Sequence, residues 1–112
     1  MRKGATTAWL LPVVLLAFAQ QQAFAQTLNP SQERGMHFVR TNCAKCHAID
    51  KVSPSPLAIA PSFRILHAKY PIVYLEEAFA EGIVTSHPTM PQFRLDPGQI
   101  ADVIAFLKTL EK

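Results

Sequence analysis

The chain has 112 residues, 49% of them hydrophobic, with 11 basic side chains, 8 acidic ones and two cysteines. That length suits one small domain and leaves little room for a self-sufficient core, because small domains bury a low fraction of their surface. The basic residues are scattered rather than clustered, which argues against a nucleic-acid footprint.

Arg2 and Lys3 lead into an apolar run from Ala8 to Ala19, and Ala23-Phe24-Ala25 follows with small residues at its outer positions. This is the layout of a cleaved secretory leader. The run contains Pro12 and falls short of the roughly 20 apolar residues that span a bilayer. We therefore read residues 1–25 as a signal peptide, residues 26–112 as a single domain, and expect no stable membrane anchor. Losing Arg2 and Lys3 brings the formal charge down to +1, so the basicity of the whole chain says little about its partners.

Asn29-Pro30-Ser31-Gln32 reads as a helix start, with a capping side chain, proline at the first helical position and glutamine three residues after the cap. The helix is expected to run to Arg40 or Thr41, with Met36 and Val39 inward and Gly35 allowing a close approach. Prolines 54, 56 and 61 make Lys51 to Pro61 a loop. A short helix is expected over Ser62 to Lys69. A longer one should carry Pro71 in its first turn and Ile72, Leu75, Phe79 and Ile83 on one stripe, ending near Gly82. Pro88 and Pro91 make Thr85 to Phe93 an extended loop. Asp96-Pro97-Gly98-Gln99 repeats the capping pattern, and Ile100, Val103, Ile104, Leu107 and Leu110 form the stripe of a final helix. With little sign of strand alternation, the fold class is all-α.

Cys43, Cys46 and His47 form a C-x-x-C-H motif. Two thiols at this spacing can add across the two vinyl groups of a haem, and the next imidazole can then ligate the iron. A structural disulfide would close too short a loop to stabilise much chain. A thioredoxin-like dithiol needs a strand before it. A zinc site needs four ligands, and the chain has no further cysteine and no histidine at finger-like spacing. Covalent haem also offers apolar surface around which a small chain can pack.

From about Gly35 to Leu110 the chain resembles the class I c-type cytochromes of the small bacterial kind. The pieces are Gly35, C-A-K-C-H, A-P-S-F at 60–63, T-M-P-Q-F at 89–93 and A-D-V-I-A-F-L-K at 101–108. The resemblance implies about four helices around one covalently attached haem c, the N- and C-terminal helices crossing at Gly35 and Phe106. It implies haem thioethers at Cys43 and Cys46, a proximal iron ligand at His47, and a Pro61 carbonyl that accepts the Nδ1–H of His47. The family's aromatic before the motif is Val39 here, with Phe38 one step away, and its buried tryptophan is missing.

Met90, in the proline-bounded loop that resembles the family's ligand loop, is the expected distal iron ligand. His87 is the alternative, and Met36 reads as core. His37 and His67 are expected at the surface or behind the ligands. Arg64, Lys69, Tyr70 and Tyr74 are candidates for the propionates, and spacing does not choose among them. The reading is a soluble periplasmic mono-haem electron carrier, not an enzyme. It is expected to be a monomer that meets donor and acceptor redox proteins transiently, with Lys45 a candidate contact. The alternatives are a haem subunit of a larger dehydrogenase complex, or a haem protein with an open distal site that binds or reacts with small ligands.

Overall fold

The computed structural model describes Gly4, residues 27–83 and residues 89–111. The proposed leader, Gly4 apart, and His87 lie outside the described residues. Within them are four α-helices and one 3-10 turn, with no strand, as an all-α fold requires.

Helix α1 (Pro30–Asn42) begins at a reciprocal cap. Gln32 donates its backbone N–H to Asn29 Oδ1 at 2.9 Å, and the Asn29 N–H reaches Gln32 Oε1 at 2.9 Å. Two donors that no helical carbonyl can reach are thereby satisfied. Helix α4 (Pro97–Thr109) is built the same way, with Asp96 capping Gln99 at 2.9 Å. Its expected stripe, Ile100, Val103, Ile104, Leu107 and Leu110, is buried throughout, and Phe106 is buried with it.

Helices α1 and α4 cross at Gly35. A Cβ there would meet the backbone carbonyl of Asp102 and lie 2.9 Å from Phe106 Cβ, so only hydrogen fits. Asp102 fastens the crossing from the side: it accepts from Ser31 Oγ at 2.6 Å and from Arg34 Nε and Nη2 at 2.7 and 2.9 Å. The Arg34 guanidinium, with the Ser31 hydroxyl, holds the Asp102 carboxyl below the usual carboxylate range. Val39 occupies the family's aromatic position and is 1% exposed, so the valine closes the contact without a ring.

The middle of the chain departs from expectation in detail. Ser62 to Lys69 is a 3-10 turn, Phe63–Ile65, running into a single turn of helix, α2 (Leu66–Lys69). Helix α3 (Tyr74–Glu81) starts three residues after Pro71 rather than around it. The N–H groups of its first three residues, Tyr74, Leu75 and Glu76, bond three residues back, to Pro71, Ile72 and Val73, so the chain enters α3 by a tighter path than an α-helix. Gly82 ends α3 at φ +99°, a left-handed conformation that costs glycine little. Of the expected extended loop, Thr89 to Phe93 is irregular.

Candidate haem site

The end of α1 delivers the motif. Cys43 donates its N–H to Val39 O at 2.8 Å, and Cys46 and His47 bond back to Cys43 O at 3.1 and 2.9 Å. This tight turn gathers both sulfurs and the imidazole at one helix terminus. The proline-rich loop that follows folds back onto it. Leu57 N–H reaches Cys46 O at 3.1 Å, Phe63 N–H reaches Ala48 O at 2.9 Å, and Ala48 N–H donates to Ser55 Oγ at 3.0 Å.

Asp50 shapes the start of that loop. Its Oδ1 accepts from the backbone of Val52 at 2.8 Å and Ser53 at 2.6 Å. The Ser53 hydroxyl, with these N–H groups, lowers the Asp50 carboxyl to about 2. Arg64 donates to Ser53 O at 2.7 Å and is thereby committed to the loop.

Folding back brings the Pro61 carbonyl to 2.8 Å from His47 Nδ1. Since a carbonyl only accepts, Nδ1 carries the hydrogen and Nε2 keeps the lone pair. The Phe63 ring lies 4.8 Å from the imidazole, tilted by 35°, and limits its rotation from the side.

A cavity of about 360 Å³ opens beside this histidine. Cys43, Cys46, His47 and Pro61 line it, as do Met90 with Thr89 and Pro91. Its apolar wall includes Val39, Phe63, Leu66, Val103 and Leu107. Burial pushes the Cys43 thiol up to about 11, the mark of an apolar surrounding.

The segment carrying Met90 is secured where it returns to the fold. Ile83 N–H bonds Phe93 O at 3.2 Å, Leu95 N–H bonds Phe79 O at 3.0 Å, and Arg94 donates to Glu81 O at 3.0 Å. Phe93 also meets Phe38 of α1 edge to face, with centroids 6.0 Å apart. The Met90 loop is thus tied to both α3 and α1.

The donor set fits a haem c: two thiols at one cavity wall, an imidazole with a fixed tautomer, a thioether and apolar sides, within the volume range of ligand pockets. Among the described residues no cluster of three or more His, Cys, Asp or Glu offers a separate metal site. Sequence reasoning placed Cys43, Cys46, His47, Pro61 and Met90 together, and all five line the cavity. Lys69 and Tyr70 reach it as well, whereas Arg64, Tyr74, His37 and His67 are not part of its described lining. The parts played by Phe63 and the Phe38–Phe93 pair were missed. The one available signal was a phenylalanine two residues past Pro61, at the edge of a polar loop.

The cytochrome c family model matches residues 32–111, and the chain belongs to the cytochrome c family, whose members bind haem c covalently. The chain is similar to a cytochrome c-553-like protein of Synechocystis sp., at 26% identity over 113 residues covering 96% of this chain and 98% of the relative. No solved structure matches the chain.

Proposed function

We propose that the protein is an exported one-electron carrier holding a single haem c, with thioethers to Cys43 and Cys46 and axial ligation by His47 and Met90. The observation that carries this reading is the meeting of motif and ligand loop at one apolar cavity, with His47 Nδ1 engaged by Pro61 O at 2.8 Å. When bound, the haem iron supplies the one-electron couple.

The chain's own contribution is positional. The Pro61 carbonyl orients the imidazole and raises the basicity of Nε2. The proline-bounded loop limits the conformations open to Met90, so less entropy is lost in holding its sulfur in place. The apolar wall excludes water from both ligands. The protein is expected to be a periplasmic monomer that exchanges electrons through small, transient interfaces. Among the described residues no helix is long and apolar enough to cross a membrane.

The test is spectroscopy of the exported protein. The pyridine haemochrome should report one haem per chain with both vinyl groups saturated. The ferric protein should be low-spin, with the weak methionine-to-iron charge-transfer band at the red end. A high-spin spectrum with rapid carbon monoxide binding to the reduced form would overturn the carrier reading.

A further inference from the structure

We infer that Lys69 and Tyr70 form the seat for the haem propionates, Lys69 as the charge partner and Tyr70 as a neutral donor. The inference rests on the haem reading above and deepens it. Haem brings two carboxylates to a pocket whose wall is otherwise apolar, and those carboxylates need donors close to water.

The polar groups lining the cavity among the described residues are few, and position sorts them. Asn42 adjoins Cys43, which would hold a vinyl group, and its amide already donates to Phe38 O at 2.8 Å. Thr89 adjoins Met90 in sequence and carries no charge, and His47 is the imidazole that would ligate the iron. Lys69 and Tyr70 remain, and Lys69 is the one charged side chain among the described lining residues.

Both stand where the pocket meets solvent: Lys69 is exposed and Tyr70 is 46% exposed. The backbone supports the arrangement. Helix α2 stops at Lys69, and Tyr70 turns to an extended conformation at φ −154°, ψ 149°; both residues line the cavity. Of the other sequence candidates, Arg64 is held by the Ser53 carbonyl and Tyr74 is 68% exposed away from the described wall.

The test is resonance Raman spectroscopy of the haem-loaded protein, reading the propionate bending modes in wild type, Lys69→Gln, Lys69→Arg and Tyr70→Phe. Each substitution changes an exposed or half-exposed side chain, so the fold is expected to persist. Lys69→Gln and Tyr70→Phe should each shift a propionate mode to lower frequency, the direction of a weakened hydrogen bond, and Lys69→Arg should restore most of the Lys69→Gln shift. Unchanged modes in both Lys69→Gln and Tyr70→Phe, on protein whose haemochrome shows attached haem, would overturn the seat and leave the carrier reading standing. Protein without attached haem would overturn both.

Discussion

Gly35→Ala tests the packing on which the site depends. The new methyl would overlap the Asp102 carbonyl, 2.5 Å from its carbon, and sit 2.9 Å from Phe106 Cβ. Ordinary carbon contacts lie at about 3.5–4.0 Å, so α1 and α4 would have to part by roughly an ångström. A gap of that size forfeits about a quarter to a half of the dispersion well between facing atoms. Three side chains of α1 and α4 in one buried cluster, Val39, Val103 and Phe106, are 1%, 2% and 4% exposed. Burial of each is worth about 1.5–3 kcal/mol, so loosening all three costs about 1–4 kcal/mol. Alanine returns about 1 kcal/mol through its better helix propensity. The expected net loss is about 2 kcal/mol, within the range for overpacked cores. Denaturant titration of the haem-loaded protein measures it directly, and the thermal midpoint should fall by about 8–16 °C for a domain of this size. Gly98→Ala is the control: its methyl would lie 3.2 Å from Asp96 Oδ1, which caps Gln99 and need give only a few tenths of an ångström, so it should cost much less than Gly35→Ala. Equal stability of the two variants would refute the close-approach argument.

Met90→Ala should convert the ferric protein from low- to high-spin and lower the midpoint potential, because methionine ligation raises it; an unchanged spectrum would exclude Met90 as the distal ligand. Phe63→Ala removes a ring that is 9% exposed and packs on His47, and it should cost about 3–5 kcal/mol by denaturant titration. A loss under about 1 kcal/mol would mean that the ring is not part of the core. Asp50→Asn should cost stability in a pH-dependent way. The native carboxyl sits at about 2, below its unfolded value near 3.8, so its contribution is fully present above about pH 4 and disappears as pH falls through about 2. The stability gap between wild type and variant should close over that window, and a gap independent of pH would refute the role of the Asp50 turn.

Both long helices were legible because their signals are local. Asn29 to Gln32 and Asp96 to Gln99 carry the whole capping pattern within four residues, and the α4 stripe repeats over 11 residues with no competing interaction. The motif at Cys43–His47 was legible for a chemical reason, since few other chemistries use those residue types at that spacing. The Pro71 region was misread by three residues. Proline is equally at home in the first turn of an α-helix and in the tighter turn found here, and only the bonds from Tyr74 to Glu76 distinguish them. The packing of Phe63, Phe38 and Phe93 was not legible because their partners are distant in sequence: each ring was visible, but what it packed against was not. The same limit applied to the propionate candidates, since composition could not show that Arg64 donates to Ser53 O and is not part of the described cavity lining.

Core and cavity wall are not separate structures in this chain. Val39, Phe63, Leu66, Val103 and Leu107 belong to the buried cluster and also face the cavity. Leu110 belongs to the cluster and is not part of the described cavity lining. This distinction within one helix stripe gives a paired prediction. Leu107 and Leu110 are 2% and 5% exposed, so Leu107→Ala and Leu110→Ala should each cost about 2–5 kcal/mol in denaturant titration. Only Leu107→Ala should also disturb the methionine-to-iron charge-transfer band, because of the two only Leu107 lines the cavity that would hold the proposed ligands. If both variants disturb the band equally at matched loss of stability, the wall has no role beyond stability. If only Leu107→Ala does, the α4 stripe serves two ends at once: it closes the helix crossing at Gly35 and keeps the ligand face dry.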